Sequence, residues 1–305
     1  MTKQQFNVEE ETSVRIDKYL SEHSELSRTR VQELTKEKAI LINGKVAKNS
    51  SKVTSGDMIE CDIPENQELD VLPENIPLDI LYEDNDIIVI NKPKGMVVHP
   101  APGNYTGTLV NALMYHCKDL SGINGVIRPG IVHRIDKDTT GCIVACKNDM
   151  AHTAIAKQLE DKTCHREYLT IVNGIIESEA GKINAPIGRD PRDRQRMTVT
   201  DKNSKDAITH FVVKERFLNS TFIECSLETG RTHQIRVHMR YMKHPVMGDT
   251  KYGGKCPYMD TQGQVLHAYK LTLVHPRTNE LMTFTAPLPD YFNELLDILR
   301  KECLR

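Results

Sequence analysis

Tryptophan is absent, and only six phenylalanines and ten tyrosines supply aromatic side chains, so any core must rest on aliphatic packing. The longest apolar runs, such as Ile87 to Ile90 and Ile143 to Ala145, fall far short of the roughly 20 residues that a membrane helix needs. No membrane partner is expected. The first residues, MTKQQFNVEEETS, lack the apolar centre of a signal peptide, and a cytoplasmic location is expected. Eight cysteines are scattered without a CxxC pair, and none of the twelve histidines falls in an HExxH arrangement. Reduced thiols and no metal follow. A P-loop and a Rossmann glycine pattern are missing as well, which excludes the common nucleotide cofactor motifs.

What is present is ordinary soluble composition, 39% hydrophobic and 27% charged, in 305 residues, enough for one large domain and a small one. The formal net charge of −2 offers no global attraction to a polyanion, but it conceals an uneven arrangement. From Leu26 to Lys52 seven basic residues face two acidic ones, and from Val53 to Asn75 seven acidic residues stand without a basic one. A basic block followed by an acidic one predicts a polyanion-binding module and a solvated linker.

Near-helical spacing of Val14, Ile16, Tyr19 and Leu20 predicts one short helix, and Ser27 caps a second that uses Val31 and Leu34. Asn43-Gly44 supplies the two positive-φ residues of a tight hairpin turn. Three prolines and the acids between Pro64 and Pro77 read as linker. Beyond it the strands Ile87 to Asn91, Cys142 to Lys147, Tyr168 to Val172, Ala207 to Lys214, Thr221 to Leu227, Tyr269 to Val274 and Leu281 to Thr285 are expected. Helices are expected over Leu109 to Cys117, Met150 to Leu159, Thr232 to Met242 and Tyr291 to Cys303. Strands that follow one another without regular helical crossovers predict an α+β fold with a mixed, largely antiparallel sheet. The expected organisation is a tail over 1–12, a small α/β domain over 13–72, an acidic linker over 64–77 and a catalytic domain over 78–305.

In the first domain, Arg15-Ile-Asp-Lys-Tyr-Leu, Leu26-Ser-Arg, Leu41-Ile-Asn-Gly-Lys and Ser55-Gly-Asp resemble the S4-type RNA-binding domain. The resemblance implies structured RNA as partner and places Ser27, Arg28, Arg30 and Lys45 at its RNA face. It implies no chemistry by itself.

The segment Gly130-Ile-Val-His-Arg-Ile-Asp-Lys-Asp-Thr-Thr-Gly-Cys-Ile-Val-Ala sets charged and hydroxyl residues between two apolar stretches, as in a functional loop between strands. An Asp in such a loop is ordinarily a turn residue. Here His133 to Gly141 resembles the HRLDxxTSG signature of the RluA and RluD family of pseudouridine synthases, with Ile135 for Leu and Thr140 for Ser. Four further stretches match the same family: Val89 to Pro100, Glu228 to Met239, Gly248 to Gly253 and His267 to Leu271. Arg166-Glu-Tyr168 stands where the family usually has Lys-x-Tyr. The resemblance implies that Asp136 is the essential carboxylate, that Tyr168 is the active-site aromatic and that Arg231 is the arginine paired with Asp136. Asp138 falls at a variable position and is expected to be dispensable.

The implied reaction breaks the bond between ribose carbon 1 and uracil nitrogen 1, turns the uracil and rejoins it through carbon 5. No atom is gained or lost, so no cofactor is expected. Positive charge develops on the ribose, and a carboxylate can stabilise it, attack carbon 1 or take the carbon 2 proton. A uridine in folded RNA must first be flipped out, and the resemblance gives Arg134 the vacated space. Arg192, Arg194 and Arg196, in a loop of turn formers, are candidate phosphate contacts. Large-subunit ribosomal RNA is the expected substrate and a monomer the expected state. A transfer RNA target and a non-catalytic ribosome-assembly factor are the alternatives.

Overall fold

Short all-apolar runs predict strands buried on both faces, and two of them, at Ile87 to Ile90 and Ile143 to Ala145, pair with each other in the larger of two units in a computed structural model. The model describes residues 2–9, 13–24, 26, 28–63, 71–101, 103–118, 120–122 and 129–304. The units span 1–68 and 69–305.

The first unit contains strands β1 (Thr2–Asn7) and β2 (Ser13–Arg15), helices α1 (Ile16–His23) and α2 (Arg28–Lys36), and strands β3 (Ile40–Ile42), β4 (Lys45–Val46), β5 (Lys52–Thr54) and β6 (Met58–Ile63). Its main sheet has the order β1-β6-β3-β4, and β2 pairs with β5. Ile16, Leu20, Val31, Leu34, Ile40 and Ile59 form its core. Asn43 and Gly44 both take positive φ, 50° and 74°, as a type I′ turn requires. Within the tail expected over 1–12, residues 1 and 10–12 lie outside the described residues, and residues 2–8 are part of the fold: β1 runs antiparallel to β6 over Thr2 to Asn7 and Val8 is buried. The strand lacks apolar alternation because backbone hydrogen bonds, which leave no mark on composition, hold it.

The second unit begins with β7 (Ile80–Glu83), β8 (Ile87–Lys92), α3 (Leu109–His116), β9 (Thr140–Cys146), α4 (Asp149–Glu160) and β10 (His165–Asn173). The strands β11 (Ala180–Asn184), β12 (Ile187–Arg189), β13 (Met197–Val199), β14 (Ser204–Lys205), β15 (Ile208–Arg216) and β16 (Ser220–Leu227) follow. The chain ends with α5 (Gln234–Tyr241), β17 (Leu266–Val274), β18 (Leu281–Thr285) and α6 (Asp290–Cys303). The large sheet has the order β11-β15-β16-β10-β17-β9-β8-β7, with β18 beside β17. Its pairs are antiparallel except β17 with β9, so the sheet is mixed as expected. Among the described residues no helix is long and apolar enough to cross a membrane.

Period-two alternation explains the central strands. On β8 and β9, Ile88, Ile90, Ile143 and Ala145 face one apolar cluster, with α3 and α5, while Ile87, Val89, Cys142, Val144 and Cys146 face another, with α4. Gly141 ends the candidate loop for a steric reason. It has φ of 106°, and a Cβ there would lie 2.2 Å from the carbonyl oxygen of Ala268 on the neighbouring strand.

The linker expected over 64–77 is shorter than its composition suggested. Residues 64–70 lie outside the described residues, but Val71 is buried in the same cluster as Leu109 and Leu113. The Asn111 side-chain amide donates to the Leu72 carbonyl at 2.8 Å, and the Glu74 carboxylate accepts from the Gly107 amide at 3.1 Å. Removal of residues 1–68 is therefore expected to leave the second unit with its full melting temperature. Removal of 1–75 should cost about 2–3 kcal/mol for the buried valine and the lost hydrogen bonds. Thermal melts of the two truncations, with an equal Tm as the contrary result, check this.

Candidate active site

The catalytic loop candidate, residues 132–139, is tied to the sheet at both ends. At its start the His133 Nε2 accepts the Val144 amide of β9 at 3.1 Å. At its end Thr139 Oγ1 accepts from the Gln264 side chain at 3.1 Å, and Thr140 Oγ1 meets His267 Nδ1 of β17 at 2.7 Å. Between these ties the Asp136 carbonyl accepts the Thr139 amide at 3.1 Å, closing a turn over Lys137 and Asp138. Asp136 is thus both the opening residue of a turn and a candidate reactive group.

Lys92, the last residue of β8, holds the loop from below. Its side chain is fully buried, and its Nζ donates to the carbonyls of Pro93, Met96 and Lys137 at 2.7–2.9 Å. Burial pulls the ammonium down to about 7, opposed by the charges of Asp138 and Asp136. Three carbonyl acceptors match the three N–H donors of the charged form. Lys94, also drawn down by burial and held up by Asp138, donates to the Thr261 carbonyl. The charge of Asp138 favours the ammonium form of both lysines, a role that its place in the motif did not show.

Sheet register brings Tyr168 to Asp136. On β17, His267 pairs with Thr140 of β9 on one side and with Leu169 of β10 on the other, so the loop exit and Tyr168 lie at one level across three strands. Tyr168 is buried, and burial raises its phenol to about 12, with Arg166 pulling the other way. The hydroxyl therefore stays protonated at neutral pH.

The partner of Asp136 is Arg236, not Arg231. Arg236 Nη1 donates to Asp136 Oδ2 at 2.8 Å, while its Nε and Nη2 fork onto Asp249 at 2.6 and 2.9 Å. Burial lowers the Arg236 guanidinium, but the hydrogen bonds and charges of Asp249 and Asp136 more than offset it and raise it above the usual arginine range. Arg231 lines the same pocket, yet its Nε donates to the Asp206 carbonyl at 2.8 Å. The residue that separates them is His233. It enters α5 in the left-handed region, φ 57° and ψ 22°, which turns the chain between the two arginines.

His233 is a site residue that the motif contained but the reading left without a role. Its Nε2 lies 3.9 Å from Asp136 Oδ1, and its Nδ1 meets the Tyr252 hydroxyl at 2.8 Å. Burial lowers its imidazole, with Asp136 opposing. Tyr252 also accepts the Met197 amide at 2.9 Å and places its ring 5.0 Å from the Arg236 guanidinium carbon. Asp249 and Tyr252 both lie in the Gly248 to Gly253 stretch quoted for the family resemblance. Their spacing from the loop carried no signal that they meet it.

Asp136, Thr139, Tyr168, Arg231, His233 and Arg236 are among the residues lining a narrow slot of about 50 Å³. It opens beside a cleft of about 390 Å³ that shares Arg134, Asp136, Tyr168, Leu227 and Arg231 with it. Since Oδ2 of Asp136 is committed to Arg236 and Oδ1 lies beyond hydrogen-bond reach of His233, Oδ1 is the oxygen available to a ligand.

The sequence-predicted RNA contacts fall elsewhere. Arg134 is exposed at the slot. Arg192 and Arg194 are exposed and Arg196 half-buried on the β12–β13 connection, which Tyr252 anchors through Met197. Arg28 and Lys45 are exposed on the first unit, while Ser27 and the side chain of Arg30 lie outside the described residues.

Arg236→Gln should leave Asp249 and Asp136 without their cation and cost about 3–5 kcal/mol, on the order of 10 °C in Tm. Arg231→Gln should change stability by no more than about 0.5 kcal/mol. Equal melting temperatures for the two variants would show that Arg236 does not hold the site.

Comparisons with known proteins place this arrangement. The family described as RNA pseudouridylate synthase matches residues 86–241, and the S4 domain matches residues 14–59. The Bacillus subtilis (strain 168) protein named uncharacterized RNA pseudouridine synthase YlyB is 55% identical, over 96% of each chain. Ribosomal large subunit pseudouridine synthase D of Neisseria meningitidis serogroup A is 45% identical over 90% of this chain and 76% of its own. Among solved structures, human RNA pseudouridylate synthase domain containing 4 superposes with a TM-score of 0.57 at 26% identity, over 72% of this chain and 92% of that one. Identity at this level over nearly the whole length, together with the family match across the loop, Tyr168 and Arg236, establishes that the chain belongs to the RNA pseudouridylate synthase family and carries an S4 domain ahead of its catalytic domain.

Proposed function

We propose that the chain converts uridine to pseudouridine in large-subunit ribosomal RNA in the cytoplasm, as a monomer without cofactor, with Asp136 as the reacting carboxylate. The observation that carries this reading is the divided role of the Asp136 oxygens, one held by Arg236 and the other available in a slot walled by Tyr168. The substrate class rests on the 45% identical relative named for the ribosomal large subunit.

In this reading the flipped uridine lies on the Tyr168 ring with its ribose against Asp136 Oδ1. As the bond from carbon 1 to nitrogen 1 breaks, the carboxylate meets the developing positive charge at the ribose. The uracil turns within the pocket and rejoins through carbon 5, whose hydrogen leaves as a proton. Because the Tyr168 phenol stays protonated, it orients the uracil through a hydrogen bond and relays a proton rather than acting as a standing phenolate. The exposed Arg134 side chain lines both the slot and the adjoining cleft, so it stands beside the path by which a base enters, and it moves aside as the base takes its place. That displacement puts Arg134 where the base has left the RNA stack.

Asp136→Asn is expected to lower conversion by on the order of 10⁴-fold while the fold survives, because Arg236 keeps its two bonds to Asp249. RNA affinity should persist or rise, since one negative charge is gone. The exposed Asp201→Asn is the matched control and should keep parent activity. Position-resolved pseudouridine mapping on large-subunit ribosomal RNA reads the result, and near-parent conversion by folded Asp136→Asn would sink the proposal. Tyr168→Phe should bind RNA as the parent does, change stability by less than about 1.5 kcal/mol and turn over roughly 10²-fold more slowly. Single-turnover rates of the two proteins measure this, and equal rates would remove the phenol from the chemistry.

A further inference from the structure

Deep cations in the catalytic unit are matched: Arg236 by Asp136 and Asp249, Lys92 by three carbonyls, Lys94 by the Thr261 carbonyl. Arg166 is the contrast. It is only 9% exposed, its Nε is buried without a hydrogen-bond partner, and no ion pair or hydrogen bond joins its guanidinium to any group among the described residues. Only Nε is shut away, so the remaining N–H groups are left to whatever occupies the cleft that Arg166 lines.

Arg166 lies two residues before Tyr168 on β10, so both side chains share one face of the sheet. Its guanidinium packs on Gly230, where a Cβ would come within 2.5 Å of Nη1. The group lines the 390 Å³ cleft beside the slot, together with His133, Arg134 and Arg231. The acids on this cleft are Asp136, already held by Arg236, and the exposed Glu160. The cleft therefore presents a fork of donors and an excess of positive charge next to the reacting carboxylate.

We infer that the cleft is a phosphate subsite, in which Arg166 binds the non-bridging oxygens of a backbone phosphate beside the target uridine. The inference rests on the RNA-modifying function. The planar guanidinium matches a phosphate through two parallel N–H bonds. At about 3.3 Å of strand rise per residue, Arg166 stands roughly 6.6 Å along β10 from Tyr168, a separation suited to a nucleotide whose base lies on the ring and whose phosphate lies on the arginine.

The test uses the full-length protein, Arg166→Met and Arg166→Lys, with a large-subunit ribosomal RNA transcript titrated at several salt concentrations. Arg166→Met should melt at or above the parent temperature, because no ion pair or hydrogen bond within the protein is lost and Nε no longer goes unsatisfied. It should bind the transcript about tenfold more weakly and lose about 0.7–0.9 from the slope of log affinity against log salt, the contribution of one phosphate. KM should rise by about the same tenfold factor while kcat changes by less. Arg166→Lys should keep the salt slope but bind more weakly than the parent, because the fork is lost. Unchanged affinity and slope in Arg166→Met, or a lowered melting temperature with unchanged binding, would show a structural role and overturn the inference. Should Arg166→Met fail to fold, parent-like affinity in Arg166→Lys overturns it equally. Parent conversion of the same transcript tests the RNA reading separately. If the parent binds no RNA, inorganic phosphate that raises the Tm of the parent but not of either variant would sustain the subsite, and no shift would end it.

Discussion

The active site depends on how one guanidinium is divided. Arg236 gives two of its nitrogens to Asp249, which is almost fully buried, and a third to Asp136. Asp249 fixes the plane of the guanidinium, and that plane fixes where the third N–H points. Asp136 then has one oxygen held and one available, an arrangement that a flexible arginine could not impose. A buried charge cluster of this kind adds little net stability, because desolvation offsets much of the attraction. What it supplies is direction, since it fixes which way the Asp136 carboxylate faces.

Around this pair the loop is held by groups with no part in the chemistry. His133 accepts from β9, Thr140 meets His267 on β17, and Lys92 reaches up to the Lys137 carbonyl from β8. Three strands thus fix a loop of eight residues, and the entropy of ordering it is lost on folding rather than on binding RNA. Gly141 belongs to the same design, since any side chain there would push β9 away from β17 and take the loop with it.

The interaction with RNA is distributed differently. A formal net charge of −2 rules out attraction by the molecule as a whole, so the cations that matter are local. Exposed lysines mark the first unit, the arginine-bearing connection is anchored to Tyr252, and Tyr252 in turn contacts His233 and the face of Arg236. That connection is thereby joined, through the Tyr252 side chain, to the guanidinium that orients Asp136.

Much of this was legible in the sequence. The His133 to Gly141 signature named the loop and its Asp, Tyr168 lay in a second recognisable element, and apolar runs located β8 and β9, because local patterns record local needs. The choice between Arg231 and Arg236 was not legible. Both sit in one short motif, and they part only in the fold, where Arg236 meets Asp136 and Asp249 while Arg231 turns to the Asp206 carbonyl. The expected linker and tail misled for a related reason: Val71 is buried by α3 residues far along the chain, and β1 is held by backbone bonds to β6 that composition does not record. The unmatched state of Arg166 was likewise invisible, since a missing partner is a property of the surroundings and not of the residue. The sequence by itself determined which chemistry is present and which segments form strands; the tertiary structure alone decided which charges meet, because pairing depends on distances between residues far apart in the chain.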